Sequence, residues 1–266
     1  MCAFENIANH CNEMVPQISE SFGRLLVDRC ELCEGADVLD VAFGRGGRLF
    51  SLAERVGPSG SVVGIDFSEG MLKETQTLLQ EKGLSQVELY LMDAESLDIP
   101  EYTFDLVTCG FALAMFPKRY KALREIHRVL KPGASFSFSI WNKKCEYIQW
   151  LFKLLSEYSH LAAFFYNHQW EKMCSLNSIS QDLVEESFDI VDFTADSLMF
   201  CYETSQQWWE GLWSGECRIF LDSMNEKQKE SFKKAAMREV EKYRYEASLR
   251  ITIKTLAMQA IKLERD

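Results

Sequence analysis

The spacing of apolar positions along this chain changes period several times. Ile18, Phe22, Leu25 and Leu26 recur at helical intervals with Arg29, which predicts a helix running to Leu32. Ala36 to Val41 is a short apolar run broken at Gly44, Gly46 and Gly47. Leu49, Leu52, Ala53 and Val56 resume the helical spacing until Gly57-Pro58. Strands are predicted at Ser61 to Ile65, Val87 to Leu91, Phe104 to Cys109 and Ser135 to Trp141. Helices are predicted at Met71 to Lys82 and Tyr120 to Leu130, the second stopped by Lys131-Pro-Gly133.

Strand and helix alternate through residue 141, the mark of βαβ units and a parallel sheet covered on both faces. After Trp141 the pattern changes. Cys145 to Tyr158 and Ser205 to Trp213 read as helices rich in aromatics. Phe232, Ala236, Val240, Tyr243 and Ala247 place an apolar stripe on one long charged helix. Phe188 to Phe193 and Ile251 to Ile261 read as late strands. The expected organisation is one domain over 1–266: an N-terminal helical lid (1–35), a core (36–141), a helical cap insertion (142–187), and late strands and helices completing the sheet (188–266).

Composition narrows the class. The 266 residues are 47% apolar and 26% charged, with 5 Pro and 14 Gly, which excludes collagen-like, low-complexity and disordered chains. A net charge of −11 makes a poor general partner for nucleic acid or an anionic membrane. The longest uncharged runs, Leu106 to Pro117 and Tyr158 to Trp170, fall short of the roughly 20 apolar residues a membrane span needs. No basic n-region opens a signal peptide, so a cytoplasmic location is expected. The nine cysteines are scattered and mostly in apolar surroundings, the pattern of reduced, buried thiols. Cys30 and Cys33 have CxxC spacing but no second pair, so no metal site is expected.

The candidate chemistry lies in Val38-Leu-Asp40-Val-Ala42-Phe-Gly44-Arg-Gly46-Gly47, a buried strand entering a glycine turn and then a helix. Such a turn lets a ligand approach the backbone closely and leaves N–H groups free at a helix start. A carboxylate at the strand end, Asp40, repels a phosphate and suits an ammonium group. Asp66 closes the second strand twenty residues after Gly46, the spacing that sets a carboxylate beside ribose hydroxyls. Asp93 follows the third strand and can accept from an exocyclic amine such as adenine N6. Three acids at one sheet edge describe a cationic nucleoside with an amino-acid tail, as in S-adenosylmethionine.

These motifs resemble the class I S-adenosylmethionine-dependent methyltransferases, most closely the group holding the ubiquinone and menaquinone C-methyltransferases and many small-molecule methyltransferases. The likeness rests on Val38 to Gly46, Val63-Gly-Ile-Asp66-Phe-Ser-Glu-Gly-Met71-Leu, Met92-Asp93-Ala94-Glu95, Phe104-Asp105-Leu-Val and Arg128-Val-Leu-Lys-Pro-Gly133. It implies a Rossmann-like, seven-stranded, mostly parallel α/β sheet. It further implies that Asp40 sits near the methionine ammonium and that Ala42, Gly44 and Gly46 pass under methionine and ribose. Asp66 would bind the ribose hydroxyls, Phe67 and Met71 would sandwich the adenine, and Asp93 with the Ala94 amide would read its edge. Gly110 or Phe111 would offer a carbonyl to the methionine amine. The chain departs from the family at Ala42, where the usual residue is glycine.

A base helps methyl transfer to oxygen or nitrogen. His168, among Phe164, Phe165, Tyr166 and Trp170, is the preferred candidate over His10 and His160, while His127 reads as structural. The expected acceptor is a small apolar or aromatic molecule reached by O-, N- or C-methylation. The expected assembly is a monomer or homodimer without nucleic acid or a membrane span. Two other readings stay open: a catalytically silent methyltransferase-like binding subunit, and an NAD-type Rossmann oxidoreductase using the same turn.

Overall fold

The structure is a computed structural model and describes residues 18–170, 175–214 and 217–264. It divides into two compact units. One comprises Ser19–Ile140, Ser175–Thr194 and Leu256–Asp266; the other includes Trp141–Cys174 and Ala195–Thr255.

The first unit holds most of the sheet, whose residues 195–202 and 244–255 belong to the other unit. Helix α1 (Ile18–Arg29) precedes β1 (Asp37–Val41), α2 (Gly47–Val56), β2 (Ser61–Asp66), α3 (Glu69–Lys82) and β3 (Val87–Leu91). Then come β4 (Phe104–Gly110), α4 (Arg119–Val129) and β5 (Leu130–Trp141). With β6 (Phe188–Tyr202), β7 (Arg244–Tyr245) and β8 (Ser248–Lys262) the strand order is β3-β2-β1-β4-β5-β8-β6, and β7 pairs with β8 alone. The expected seven-stranded sheet is therefore present, with β7 as a short addition. The pairs β1–β2, β1–β4, β2–β3 and β4–β5 are all parallel.

Alternation along β1 sorts the core into two clusters on opposite faces. Val38 packs with Val27, Leu49, Leu52, Ala53 and Val56 of α1 and α2. Leu39 and Val41 pack with Leu123, Ile126 and Val129 of α4 and with Phe136 and Phe138 of β5. Helix α3 starts on Ser68, whose hydroxyl accepts from the Met71 N–H at 3.3 Å, and stops at left-handed Gly83.

Three boundaries differ from the sequence reading. Strand β5 begins at Leu130, directly after α4, because Lys131-Pro-Gly133 forms an irregularity inside the strand instead of a free stop. The register passes from Phe104 opposite Leu130 to Leu106 opposite Ser135. The last long helix runs only Glu226–Val240; Tyr243 lies in a 3-10 turn and Ala247 in the hairpin turn between β7 and β8. Strand β6 extends to Tyr202 through Asp192, Thr194, Asp196 and Ser197, polar residues that hid its second half.

The segment 142–187, expected to form a cap, is divided between the two units. Helix Leu176–Glu185 belongs to the sheet unit, where Ile179 and Leu183 enter the core and Asp182 pairs with Arg119. In the second unit, helix Glu146–Tyr158 carries Tyr147, whose hydroxyl accepts from buried Trp208 Nε1 at 2.9 Å. Phe152 packs against Trp170 and Phe220, and Trp209 against Phe232, so these aromatics form that unit's own core. Among the described residues no helix is long and apolar enough to cross a membrane.

Gly64 in β2 shows how tightly the first unit is packed. A Cβ there would stand 2.7 Å from Leu89 Cδ2 and 3.0 Å from both Leu49 Cδ2 and Phe43 Cδ1. Gly64→Ala is expected to lower stability by about 1–3 kcal/mol through overpacking, measured as a reduced urea midpoint at unchanged slope.

Candidate functional site

The C-terminal ends of β1, β2 and β3 meet at one edge of the sheet, and the glycine turn leaves β1 there. Ala42, Gly44 and Gly46 all have positive φ, at 55°, 56° and 81°. Ala42 thus adopts the left-handed conformation that glycine favours. Gly44 is fixed at both its polar groups. Its N–H donates to Asp66 Oδ2 at 2.9 Å, and its carbonyl accepts from Thr75 Oγ1 at 2.8 Å. A Cβ built on Gly44 meets nothing within 4 Å, so the convex side of the turn faces open space.

Asp66 ends β2 with its carboxylate oriented by two backbone donors. Oδ2 takes the Gly44 N–H, and Oδ1 takes the Ser68 N–H at 2.9 Å. Each carboxylate oxygen accepts two hydrogen bonds, so each retains one accepting direction. Phe67, the next residue, is 76% exposed, a large apolar ring held in solvent at the start of α3, with half-buried Met71 a turn later. Asp93 is exposed beyond β3, its Oδ1 accepting the Glu95 N–H at 2.9 Å, and Ala94 behind it is buried. The structure therefore brings Gly44, Gly46, Asp66, Phe67, Met71, Asp93 and Ala94 to one edge of the first unit.

Asp40 is buried. Its carboxylate has no exposure, and Arg48 of α2 lies against it. Arg48 Nε donates to Asp40 Oδ1 at 2.7 Å, and Thr108 Oγ1 of β4 donates to the same oxygen at 2.8 Å. Arg48 Nη2 also donates to the Ala42 carbonyl at 2.9 Å. Burial holds the Asp40 carboxyl above its ordinary range, against the opposing pull of Arg48 and Thr108. Oδ2 of Asp40 and Oγ of Ser139 are buried without a hydrogen-bond partner among the described residues.

Gly110 lies against the same arginine: a Cβ there would overlap Arg48 Nη1. Phe111 follows at φ 60°, its N–H donating to the Ser139 carbonyl at 2.9 Å and its ring edge-on to Phe22 at 6.2 Å. Cys109 beneath them is pushed up to about 12 by burial, so its thiol stays protonated and inert.

Among the histidines, His127 is structural. Its Nε2 lies 2.9 Å from the Leu263 carbonyl, and its ring packs edge-on against Phe188. His160 is exposed. His168 has its main chain in the turn Phe165–Gln169, but its side chain lies outside the described residues, as does all of His10. Cys30 is buried and Cys33 exposed, and the described residues contain no cluster of three metal-ligating side chains.

Arg48, Thr75 and Thr108 were not anticipated from sequence as part of this site. Arg48 had a signal: it stands four residues before Leu52 on the buried stripe of α2, where a cation needs a carboxylate partner. Thr108 is a buried polar residue between the apolar Val107 and Cys109 of β4.

Strand order, glycine turn and the acids at the strand ends together define a class I S-adenosylmethionine-dependent methyltransferase fold. The chain belongs to the ubiE/COQ5 methyltransferase family, whose model matches residues 3–170. A demethylmenaquinone methyltransferase of Anoxybacillus flavithermus is 40% identical over 134 residues, 49% of this chain and 56% of that relative. The chain thus spans about half the length of the curated relatives it matches, 44–57%. Among solved structures, the 4+2 cyclase SpnF superposes with a TM-score of 0.64 at 21% identity, covering 97% of this chain and 86% of that one. Phosphoethanolamine N-methyltransferase 2 of Haemonchus contortus, solved with phosphomonomethylethanolamine and S-adenosylhomocysteine, gives 0.58 at 16% identity, covering 92% of this chain and 53% of that one. At these identities the two structures share the fold.

Because Asp66 anchors both the Gly44 and the Ser68 amides, Asp66→Ala is expected to cost stability as well as any ligand contact. The two orphaned donors are worth about 1–3 kcal/mol together, to be measured by denaturant unfolding without ligand.

Proposed function

We propose that this chain binds S-adenosylmethionine at the edge of β1, β2 and β3 and transfers its methyl group to a small apolar or aromatic acceptor. The observation that carries this reading is the Gly44 turn. Its backbone is fixed on one side by Asp66 and Thr75, and its other side faces open space next to a carboxylate with accepting capacity to spare. That is a cradle for a nucleoside sugar, and family membership supports the methyl donor as its occupant.

S-adenosylmethionine supplies an electrophilic methyl on a sulfonium, so the protein's main task is to hold the acceptor in line. Asp66 would accept the ribose hydroxyls through the two oxygen directions its backbone donors leave over. Phe67 and Met71 would form apolar walls for the adenine, with Asp93 and the Ala94 amide at its polar edge. Ala42, Gly44 and Gly46 would lie under methionine and ribose, and a carbonyl of Gly110 or Phe111 would receive the amine. Asp40 would act on the methionine end through Arg48. His168 remains our candidate for the base that removes an acceptor proton.

Relatives that are demethylmenaquinone methyltransferases support an acceptor of aromatic, largely apolar character. The excess of acidic side chains in this chain fits a small molecule better than a nucleic acid. The silent-subunit reading was motivated by Ala42; at φ 55° Ala42 takes the conformation that glycine favours, and that motive falls away. Nothing favours the dinucleotide reading.

Calorimetry tests the assignment. The chain is expected to bind S-adenosylmethionine and S-adenosylhomocysteine and to ignore NAD; binding of NAD alone would overturn the reading. Gly44→Val should abolish binding, because its side chain fills the open side of the turn at a positive-φ position. Thermal unfolding would report the accompanying backbone strain of about 1–2 kcal/mol.

A further inference from the structure

A non-glycine residue stands at a left-handed position at the start of the turn, and something must hold it there. Ala42 has φ 55°, a conformation that an L-residue with a Cβ adopts only at a cost. Its carbonyl accepts from Arg48 Nη2 at 2.9 Å, while Arg48 Nε is committed to Asp40 Oδ1 at 2.7 Å. The arginine is nearly buried, with 4% exposure. Its side chain passes between two glycines. A Cβ on Gly23 of α1 would lie 2.8 Å from Arg48 Cγ, and one on Gly110 would overlap Arg48 Nη1. The side chain is therefore closely packed at Gly23 and Gly110, and its Nε contact with Asp40 leaves Nη2 directed at the Ala42 carbonyl.

We propose that Arg48 is a positioning residue that locks the Ala42 turn in its ligand-binding shape, doing through a charged hydrogen bond what glycine does through conformational freedom elsewhere in the family. The consequence for the cofactor follows from the backbone. Once the Ala42 carbonyl is pinned, the next two N–H groups are directed: that of Phe43 to the Ile65 carbonyl at 3.2 Å and that of Gly44 to Asp66 Oδ2 at 2.9 Å. Arg48 thereby orients Asp66, which it does not touch, through two residues of main chain. This inference rests on the proposal that the site takes S-adenosylmethionine.

The test is a double-mutant cycle on the whole chain. Arg48→Lys keeps a cation for Asp40 but lacks the second arm that reaches the Ala42 carbonyl. Losing a hydrogen bond from a charged donor is expected to weaken S-adenosylhomocysteine binding about tenfold. Ala42→Gly removes the strain that the lost bond opposed, so the double variant should return to within about threefold of the parent. Ala42→Gly alone is the reference of the cycle: the penalty of Arg48→Lys should be about tenfold in the parent and under about threefold in the Ala42→Gly background. Hydrogen exchange without ligand gives an independent reading: protection of the Phe43 and Gly44 amides should fall in Arg48→Lys and return in the double variant. Parental affinity and exchange in Arg48→Lys would overturn the proposal. So would a loss that Ala42→Gly fails to restore, which would give Arg48 a role in the charge balance of the site. If Arg48→Lys does not fold, the double variant must fold and show the protected amides; an unfolded double variant also overturns it. Failure of the parent to bind S-adenosylhomocysteine sinks the cofactor assignment alone, since the exchange experiment still decides the role of Arg48.

Discussion

A guanidinium and a carboxylate buried side by side are costly to bring out of water, and the cost is recovered only where geometry and additional hydrogen bonds are good. The Arg48–Asp40 pair meets that condition. Asp40 on β1 also accepts from Thr108 on β4, and Arg48 on α2 also donates to the Ala42 carbonyl at the start of the turn. One ion pair thus ties two adjacent strands, the following helix and the backbone of the turn into one arrangement. Removing one partner of such a pair leaves a buried charge and costs about 3–5 kcal/mol. The fold of the first unit and the shape of its candidate site consequently share one interaction.

Rigidity in the turn would favour binding at the proposed site. A loop that must be ordered by its ligand subtracts the ordering entropy from the affinity. Here Gly44 has its N–H on Asp66 and its carbonyl on Thr75 before any ligand arrives. The carboxylate assigned to the ribose is itself held by the Gly44 and Ser68 amides. Donor and acceptor orient one another, so neither has to be found by the ligand.

The alternating periods up to Trp141 carried the sheet and its helices because each buried strand and amphipathic helix obeys a local rule. The strand-end acids and the glycine turn were legible for the same reason: their spacing along the chain follows from βαβ geometry. What stayed hidden depends on contacts between distant residues. Asp40 looks from sequence like an acid at the ligand edge, and only packing reveals that it is buried with Arg48 against it. Lys131-Pro-Gly133 is a good local stop signal, yet pairing with β4 absorbed it into β5 as an irregularity. Ala247 continues the apolar stripe of the last helix, but the β7–β8 hairpin overrode helical spacing there. The side chain chosen as base, His168, lies in an aromatic segment where periodicity does not separate a pocket wall from a core.

The route of Arg48 beside Gly23 and Gly110 also couples three positions far apart in sequence. A Cβ on Gly23 would stand 2.8 Å from Arg48 Cγ, and one on Gly110 would overlap Arg48 Nη1. A methyl group at either position therefore has to displace part of the arginine, so what each glycine tolerates depends on which side chain stands at position 48.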